Sequence, residues 1–426
     1  MLNHSVMNVD MECVLAKRLR VFFTFAVFSM ISLSWVLPFS LSGQGAKRIL
    51  LPGIETELAQ KQIPIDFAET SKTLTPLLKK AFSLHGAFRL SHPKESRYSI
   101  EFSAKGGSQV GISIFTGNTR RIVKNLAAGG DSIDDAVLSG CDKVVLELLN
   151  IPGFFSGKIS YLSNLSGHKE IFVSNSLMTS SQPNTNFKKI TFNASWGNQG
   201  QGIFFTSNRQ LFNNIFFLDL SSRKISTIAN YRGSNLSAVQ NPRSSQVALI
   251  LSSTGNPEVW IAPYPNSKPK RLTRNKSNES GPCWSSDGRR LIVTSDSRGK
   301  PQLYEVSLST GSLTRISTNV SSHCTEASWN PRDSSKISFT AAVGGGFQIF
   351  EYSFQSRKSR QLTKGFGHGL QSTWLNDGRH ILYTERSVKG STRLMLLDTE
   401  LEGAQAKALH GTNFGNCSQA SFYYSN

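Results

Sequence analysis

No two of the five cysteines form a Cys-x-x-Cys pair, so the chain lacks the ligand spacing of a zinc framework. It also lacks any Gly-x-Ser-x-Gly, which excludes the nucleophile elbow of an α/β-hydrolase domain. No run of Lys or Arg exceeds two residues, so no continuous basic stripe awaits nucleic acid. Acidic residues are scarce: 28 Asp and Glu stand against 47 Lys and Arg, a formal charge of +19. Charged residues make up only 18% of the chain, apolar ones 38%, and there are 27 Phe. That composition buries a core, and 426 residues suffice for two domains.

Lys17, Arg18 and Arg20 precede an apolar stretch over residues 21–39, and small residues follow from Ser40 to Ala46. A basic head, an apolar run and a small-residue exit predict a secretory signal over residues 1–42. Ser29, Ser32, Ser34 and Pro38 argue against a permanent span. Removing the segment, with its three basic and two acidic side chains, lowers the charge from +19 to +18. An exported chain seldom meets nucleic acid, so none is expected as a partner. The charge serves solubility or attracts an acidic partner or an anionic surface. Cys141, Cys283, Cys324 and Cys417 remain, too widely spaced for a compact disulfide framework. Isolated, packed thiols are expected.

What the chain does have is a rhythm. Residues 281–317 hold one Trp, an Asp-Gly turn and three short alternating strands. Trp284 is followed at fixed distance by Leu291 and Val293, as Trp196 is by Ile203 and Phe205, and Trp374 by Ile381 and Tyr383. Trp329 has Ile337 and Phe339 one residue later, and Gln240 holds the same place before Val247 and Leu249. The anchors Trp196, Gln240, Trp284, Trp329 and Trp374 stand 44, 44, 45 and 45 residues apart. Each opens a grammar of polar turn, strand, Gly- or Asn-containing loop, strand and short last strand. Four antiparallel strands per 45 residues make a propeller blade. Residues 158–190 offer a blade without its anchor strand: "KISYLSN", "KEIFVSN" and a terminal "FKKIT". The C-terminal "NCSQASFYYS" supplies the missing strand, with Phe422 in the Trp place. The expected fold is mainly β: a six-bladed β-propeller over 157–426, closed by the C-terminal strand and preceded by a small α/β domain over 46–150.

In that preceding domain, "RILLPG" is a strand candidate, and Leu74, Leu77, Leu78, Ala81 and Phe82 lie at helical spacing. Strands are expected in "RYSIEFSA", "QVGISIFTG" and "TRRIVKNLA". A second helix follows, with Asp131 or Ser132 as N-cap and Asp134 and Asp135 in its first turn.

The repeat, the junction "LLNIPGFFSGKISYLSN" at 148–164 and the closing strand together resemble the TolB family. The resemblance implies a non-catalytic periplasmic scaffold of a Tol-Pal-like system that supports envelope integrity and cell division. It implies binding of a Pal-like peptidoglycan-associated lipoprotein on one propeller face. A monomer without a membrane span after signal cleavage, a cofactor or a metal is expected. A TolA-like inner-membrane protein is a further partner of that family, although the segment before the first strand is short here.

Loops that enter each anchor strand and loops between second and third strands are expected at one end of the ring. On them, Ser234, Asn235, Glu279, His323 and His368, with Arg298 and Arg386 at the rim, are the candidate partner-binding residues. A propeller enzyme or a small-ligand or metal-binding protein using the central channel is the alternative, with Glu279, His323, Glu326 and His368 as possible ligands. The anchor aromatics are expected to pack between blades.

Overall fold

A computed structural model describes residues 62–67, 70–117 and 119–425. The signal expected over 1–42 and the strand expected at 48–53 lie outside the described residues.

The N-terminal unit is a five-stranded sheet with two helices. In chain order it runs β1 (Ile63–Asp66), α1 (Thr75–Leu84), β2 (Phe88–Leu90), β3 (Tyr98–Gly106), β4 (Gln109–Thr116), β5 (Ile122–Gly129) and α2 (Ile133–Leu149). The sheet order is β2-β1-β3-β4-β5, with β1 parallel to both neighbours and β3, β4 and β5 antiparallel. The Ser132 hydroxyl caps α2 by accepting the Asp135 N–H, and Asp134 and Asp135 fill the first turn. Val137, Cys141, Val144 and Val145 bury that helix's apolar stripe, while Leu78, Ala81 and Phe82 bury that of α1. Strands β1 and β2 escape a reading of alternation. Both are short, and Pro64 interrupts the apolar run of β1.

Six four-stranded antiparallel sheets follow. Blade 1 holds β6 (Lys158–Ser163), β7 (Glu170–Asn175) and β8 (Ser181–Pro183). Blade 2 holds β9 (Thr191–Trp196), β10 (Gly202–Gln210), β11 (Phe212–Asp219) and β12 (Ile225–Ala229). Blade 3 holds β13 (Asn235–Gln240), β14 (Val247–Leu251), β15 (Glu258–Ala262) and β16 (Lys270–Arg271). Blade 4 holds β17 (Glu279–Trp284), β18 (Leu291–Ser295), β19 (Gln302–Val306) and β20 (Leu313–Arg315). Blade 5 holds β21 (Cys324–Trp329), β22 (Lys336–Val343), β23 (Gly346–Ser353) and β24 (Lys358–Gln361). Blade 6 holds β25 (His368–Trp374), β26 (His380–Arg386), β27 (Thr392–Asp398) and β28 (Lys407–Ala408).

The last strand, β29 (Cys417–Tyr423), pairs antiparallel with β6 and completes blade 1. The closure covers an edge that would otherwise be free to pair with another chain. The fourth strand of blade 1 is Ser181–Pro183, not the "FKKIT" run. Thr191 alone of that run enters a strand, the first of blade 2.

Each anchor sits opposite the first apolar residue of the next strand: Trp196 opposite Ile203, Gln240 opposite Val247, Trp284 opposite Leu291, Trp329 opposite Ile337, Trp374 opposite Ile381 and Phe422 opposite Ile159. The four Trp are buried. Trp196 and Trp284 also stitch blades together, their indole N–H groups donating to the Ser421 and Val239 carbonyls of the preceding first strands. At the one non-aromatic anchor, the Gln240 Oε1 accepts the Asn198 N–H of blade 2 at 2.9 Å. Cys141, Cys283, Cys324 and Cys417 are free thiols.

The first strands touch one another in sequence around the ring and line its axis. Each carries a bulge, and three residues before the anchor the backbone turns left-handed in five of the six: Asn193, Gly281, Glu326, Gln371 and Gln419, with φ from 51° to 57°. For a non-glycine residue that region costs about 1–2 kcal/mol. Hydrogen bonds between blades offset it: Gln419 Oε1 accepts the Asn193 N–H at 2.7 Å, Asn193 Nδ2 donates to the Leu236 carbonyl at 2.8 Å, and Glu326 Oε2 accepts the Gln371 N–H at 2.9 Å. The channel wall is a polar belt tied from one blade to the next.

Candidate docking face

Antiparallel pairing puts the start of every first strand beside the end of the second, so the inter-blade loops and the second-to-third hairpins share one end of the ring. His368, which opens β25, lies opposite Arg386, which closes β26. Below, this end is called the mouth face.

A buried polar residue at or near the start of the third strand props up these loops in several blades. Glu170 accepts from the Thr185 hydroxyl and from the Phe187 and Lys188 N–H groups at 2.5–2.7 Å. Glu258 accepts from the Asn275 N–H and the Arg271 guanidinium. Gln302 donates to the Ser321 carbonyl and Gln348 to that of Gly367. A Thr fifteen residues on, Thr185, Thr273 or Thr363, accepts the next backbone N–H of the third strand in blades 1, 3 and 5. Sequence reasoning missed this register, which its spacing could have disclosed.

The candidate residues divide into two kinds. Asn235 and Glu279 are buried and turned inward. Asn235 donates to the Tyr231 and Asn213 carbonyls and accepts the Tyr231 N–H. Glu279 accepts from Thr273, Asn275 and Ser295, and burial pushes its carboxyl above the usual range. Both hold loops in place, and neither offers its side chain to a partner. Half-buried Ser234 spends its N–H on the Ser252 hydroxyl. Arg298 is exposed at the tip of the β18–β19 hairpin, and Arg386 is half-buried at the end of β26. His323 and His368 flank the Phe347 ring, with centroids 5.4 and 5.9 Å away, and His368 Nδ1 accepts the Phe347 N–H.

Glu279, His323, Glu326 and His368 do not converge on a shared ion position. Among the described residues, one cluster does: His85, Asp377 and His380, between the N-terminal unit and blade 6 and far from the mouth. There His380 Nδ1 is already bonded to Asp377 Oδ2 at 2.5 Å.

The mouth face also exposes apolar side chains. Among the described residues, Leu165, Ile190, Leu211, Phe212, Tyr231, Phe366 and Val388 all lie on its loops and hairpin tips, Phe366 at 99% exposure and Leu211 at 82%. They span the sector running from the blade 5–6 junction through blade 1 to the blade 2–3 junction. Exposed apolar groups gathered on one face mark interaction surfaces.

Blades of constant register and a ring closed by the chain's own tail define a closed six-bladed β-propeller. The chain belongs to the TolB beta propeller domain family, whose model matches residues 146–421, and it is a TolB-like protein. It is 30% identical over 126 residues to the Tol-Pal system protein TolB of Desulfosudis oleivorans, and 26% identical over 123 residues to the Protein TolB homolog of Chlorobaculum tepidum. Each match covers 29% of this chain, but only 27% and 28% of those relatives' lengths. The crystal structure of TolB from Acinetobacter baumannii superimposes with a TM-score of 0.74 over 85% of this chain and 97% of that one, at 17% identity, a likeness of fold.

Proposed function

We propose that this protein is a non-catalytic periplasmic scaffold of a Tol-Pal-like system, which docks a peptidoglycan-associated lipoprotein on its mouth face and so supports envelope integrity and cell division. The observation that carries the reading is the asymmetry of the ring. Seven large apolar side chains stand exposed on the mouth face, over loops held from below by buried Glu, Gln and Thr. Rigid scaffolds with contact groups on their loops suit reversible docking. Family membership and the name of the Desulfosudis relative support the assignment to a Tol-Pal system. Ser234, Arg298, His323, His368 and Arg386 contact the partner directly, while Asn235 and Glu279 set the loops. The N-terminal unit offers a second surface, with Ile122 and Val123 exposed on edge strand β5 and Leu146 on α2, suited to a TolA-like inner-membrane protein. No helix among the described residues is long and apolar enough to cross a membrane.

Binding of the full chain to the soluble domain of the same organism's peptidoglycan-associated lipoprotein tests the reading. Saturable binding lost on mouth-face substitution is expected. No binding at micromolar concentrations would overturn it.

A further inference from the structure

The foot of the ring, the end opposite the mouth face, has a groove where blades 3 and 4 meet. Its volume is about 380 Å³, and its walls include Ile261, Pro263, Lys270, Leu272, Trp284 and Leu308. The two blades close on each other beside it. A Cβ on Gly311 would overlap the Leu272 carbonyl, so the β19–β20 turn rests on the chain just after β16.

Beyond the mouth face and the N-terminal unit, two large apolar side chains are exposed among the described residues, Tyr264 at 59% and Leu308 at 39%. Both border this groove: Leu308 lines it, and Tyr264 follows the wall residue Pro263. The turn that carries Tyr264 is stiff. It contains Pro263, Pro265 and Pro269. The Ser267 hydroxyl accepts the Tyr264 N–H at 3.1 Å and donates to the Tyr264 carbonyl at 2.6 Å. The Ser245 hydroxyl donates to the Pro263 carbonyl at 2.9 Å and ties the turn to the next hairpin. A single exposed apolar group is ordinary, but two held beside one groove mark a contact surface.

The segments that form the groove, 241–246, 263–272 and 307–312, contain no Asp or Glu. They carry Arg243, Lys268 and Lys270, all exposed and none ion-paired with a carboxylate among the described residues. Arg271 is committed to Glu258. Arg243 Nε donates to the Ser286 carbonyl at 3.0 Å, which holds this cation against blade 4. The blade 4 carboxylates at this end are engaged, Asp287 with the Ser285 hydroxyl and the Arg289 N–H, and Glu305 with Arg290.

We infer that this groove seats an extended segment of a protein partner in which a large apolar residue lies beside Asp or Glu. The apolar side chain enters between Pro263 and Leu308, over Trp284, and its acidic neighbours meet Arg243, Lys268 and Lys270. A few side chains fill such a volume, whereas a flat bilayer cannot enter it. Stiff walls reduce the ordering cost of binding, and the cations reject basic competitors. The groove lies at the end of the ring opposite the lipoprotein surface proposed above, so the inference goes beyond that reading and does not rest on it.

The probes are a fluorescent synthetic peptide with one Phe among Asp and Glu residues, a counterpart with Ser in place of Phe, a counterpart with Asn and Gln in place of the acids, and phosphatidylglycerol vesicles. Each is titrated against the full chain, against Tyr264→Ser with Leu308→Ser, and against Arg243→Gln with Lys268→Gln and Lys270→Gln. Unfolding midpoints are measured alongside. The inference expects the acidic Phe peptide to bind at least about tenfold more tightly than either counterpart, and to lose about tenfold in each variant at an unchanged midpoint. Equal binding of the three peptides, binding of none, binding undiminished in either variant, or preference for vesicles would overturn it. The lipoprotein's soluble domain is titrated separately and should bind both variants as it binds the parent. Its failure to bind any of them would sink the lipoprotein reading and leave the groove standing.

Discussion

His85, at the end of α1, packs edge-on against His380 of blade 6, with ring centroids 4.5 Å apart and both side chains buried. The contact joins the N-terminal unit to the propeller. The Gly86 N–H donates to His380 Nε2 at 3.3 Å, while His380 Nδ1–H faces Asp377. His85 Nδ1 accepts the Ala87 N–H, which leaves Nε2 protonated and without an acceptor. The His85 ring is therefore arranged as a neutral imidazole, while His380 stands between the Asp377 and Asp398 carboxylates.

That arrangement makes the fold acid-sensitive. Burial, then His380, Arg379 and Lys407, hold the His85 imidazole well below the usual histidine range. An unfolded histidine takes up its proton near pH 6.5, so this group's contribution is complete above that pH and declines as the pH falls below it. The slope is at most about 1.4 kcal/mol per pH unit for one proton. His85→Phe keeps a ring against Phe154 but takes up no proton. Urea midpoints of this variant between pH 7 and 5 are expected to fall less steeply than those of the parent, and equal slopes would refute the assignment.

The junction between the two parts depends on Asp142 and Gly153. Asp142 is buried on α2 and accepts the Phe155 N–H at 2.7 Å, the Ser156 N–H at 2.9 Å and the Tyr424 hydroxyl at 3.0 Å. Burial pushes its carboxyl up to about 6 against the pull of those donors. Its contribution therefore runs opposite to that of His85, complete below the ordinary carboxyl value and lost as the pH rises through about 6. A Cβ on Gly153 would overlap this carboxylate. Gly153→Ala is expected to cost about 1–3 kcal/mol by overpacking, measured by chemical denaturation at neutral pH. A neutral substitution would show that the junction yields more easily than its geometry indicates.

Ring closure has its own test at Gly157, where a Cβ would overlap the Phe422 ring on the closing strand. Gly157→Val is expected to loosen β29 and raise amide exchange over residues 158–163 and 417–423 together. Exchange unchanged in both segments would mean that the seam tolerates the intrusion.

Contact and support residues on the mouth face separate by readout. Phe366→Ala and Phe212→Ala remove exposed rings and should weaken lipoprotein binding about tenfold at an unchanged unfolding midpoint. Glu279→Ala strips an acceptor from three donors and should cost about 1–3 kcal/mol of stability. Should Glu279→Ala weaken binding without touching stability, its side chain would have to reach the partner after all.

The propeller was legible because its physics repeats. A Trp at the end of four first strands, with Gln240 in its place in a fifth, an apolar residue opposite it and a turn between them return every 44 or 45 residues, and Phe422 extends the pattern to the tail. The N-terminal unit has no such echo, so β1 and β2 went unread behind Pro64 and a three-residue length. Within loops, composition cannot separate a polar side chain that faces water from one that holds its own backbone, which is why Asn235 and Glu279 resembled Arg298. The Gly86–His380 bond beside the two histidine rings joins residues 294 positions apart, and no local pattern announces it.

Amide hydrogen exchange of the full chain, with and without the lipoprotein's soluble domain, tests the central claim most directly. Protection confined to mouth-face segments such as 272–278, 296–301, 362–367 and 387–391 is the predicted result. Protection of the opposite turns at 285–290 and 330–335, or of no segment at all, would contradict it.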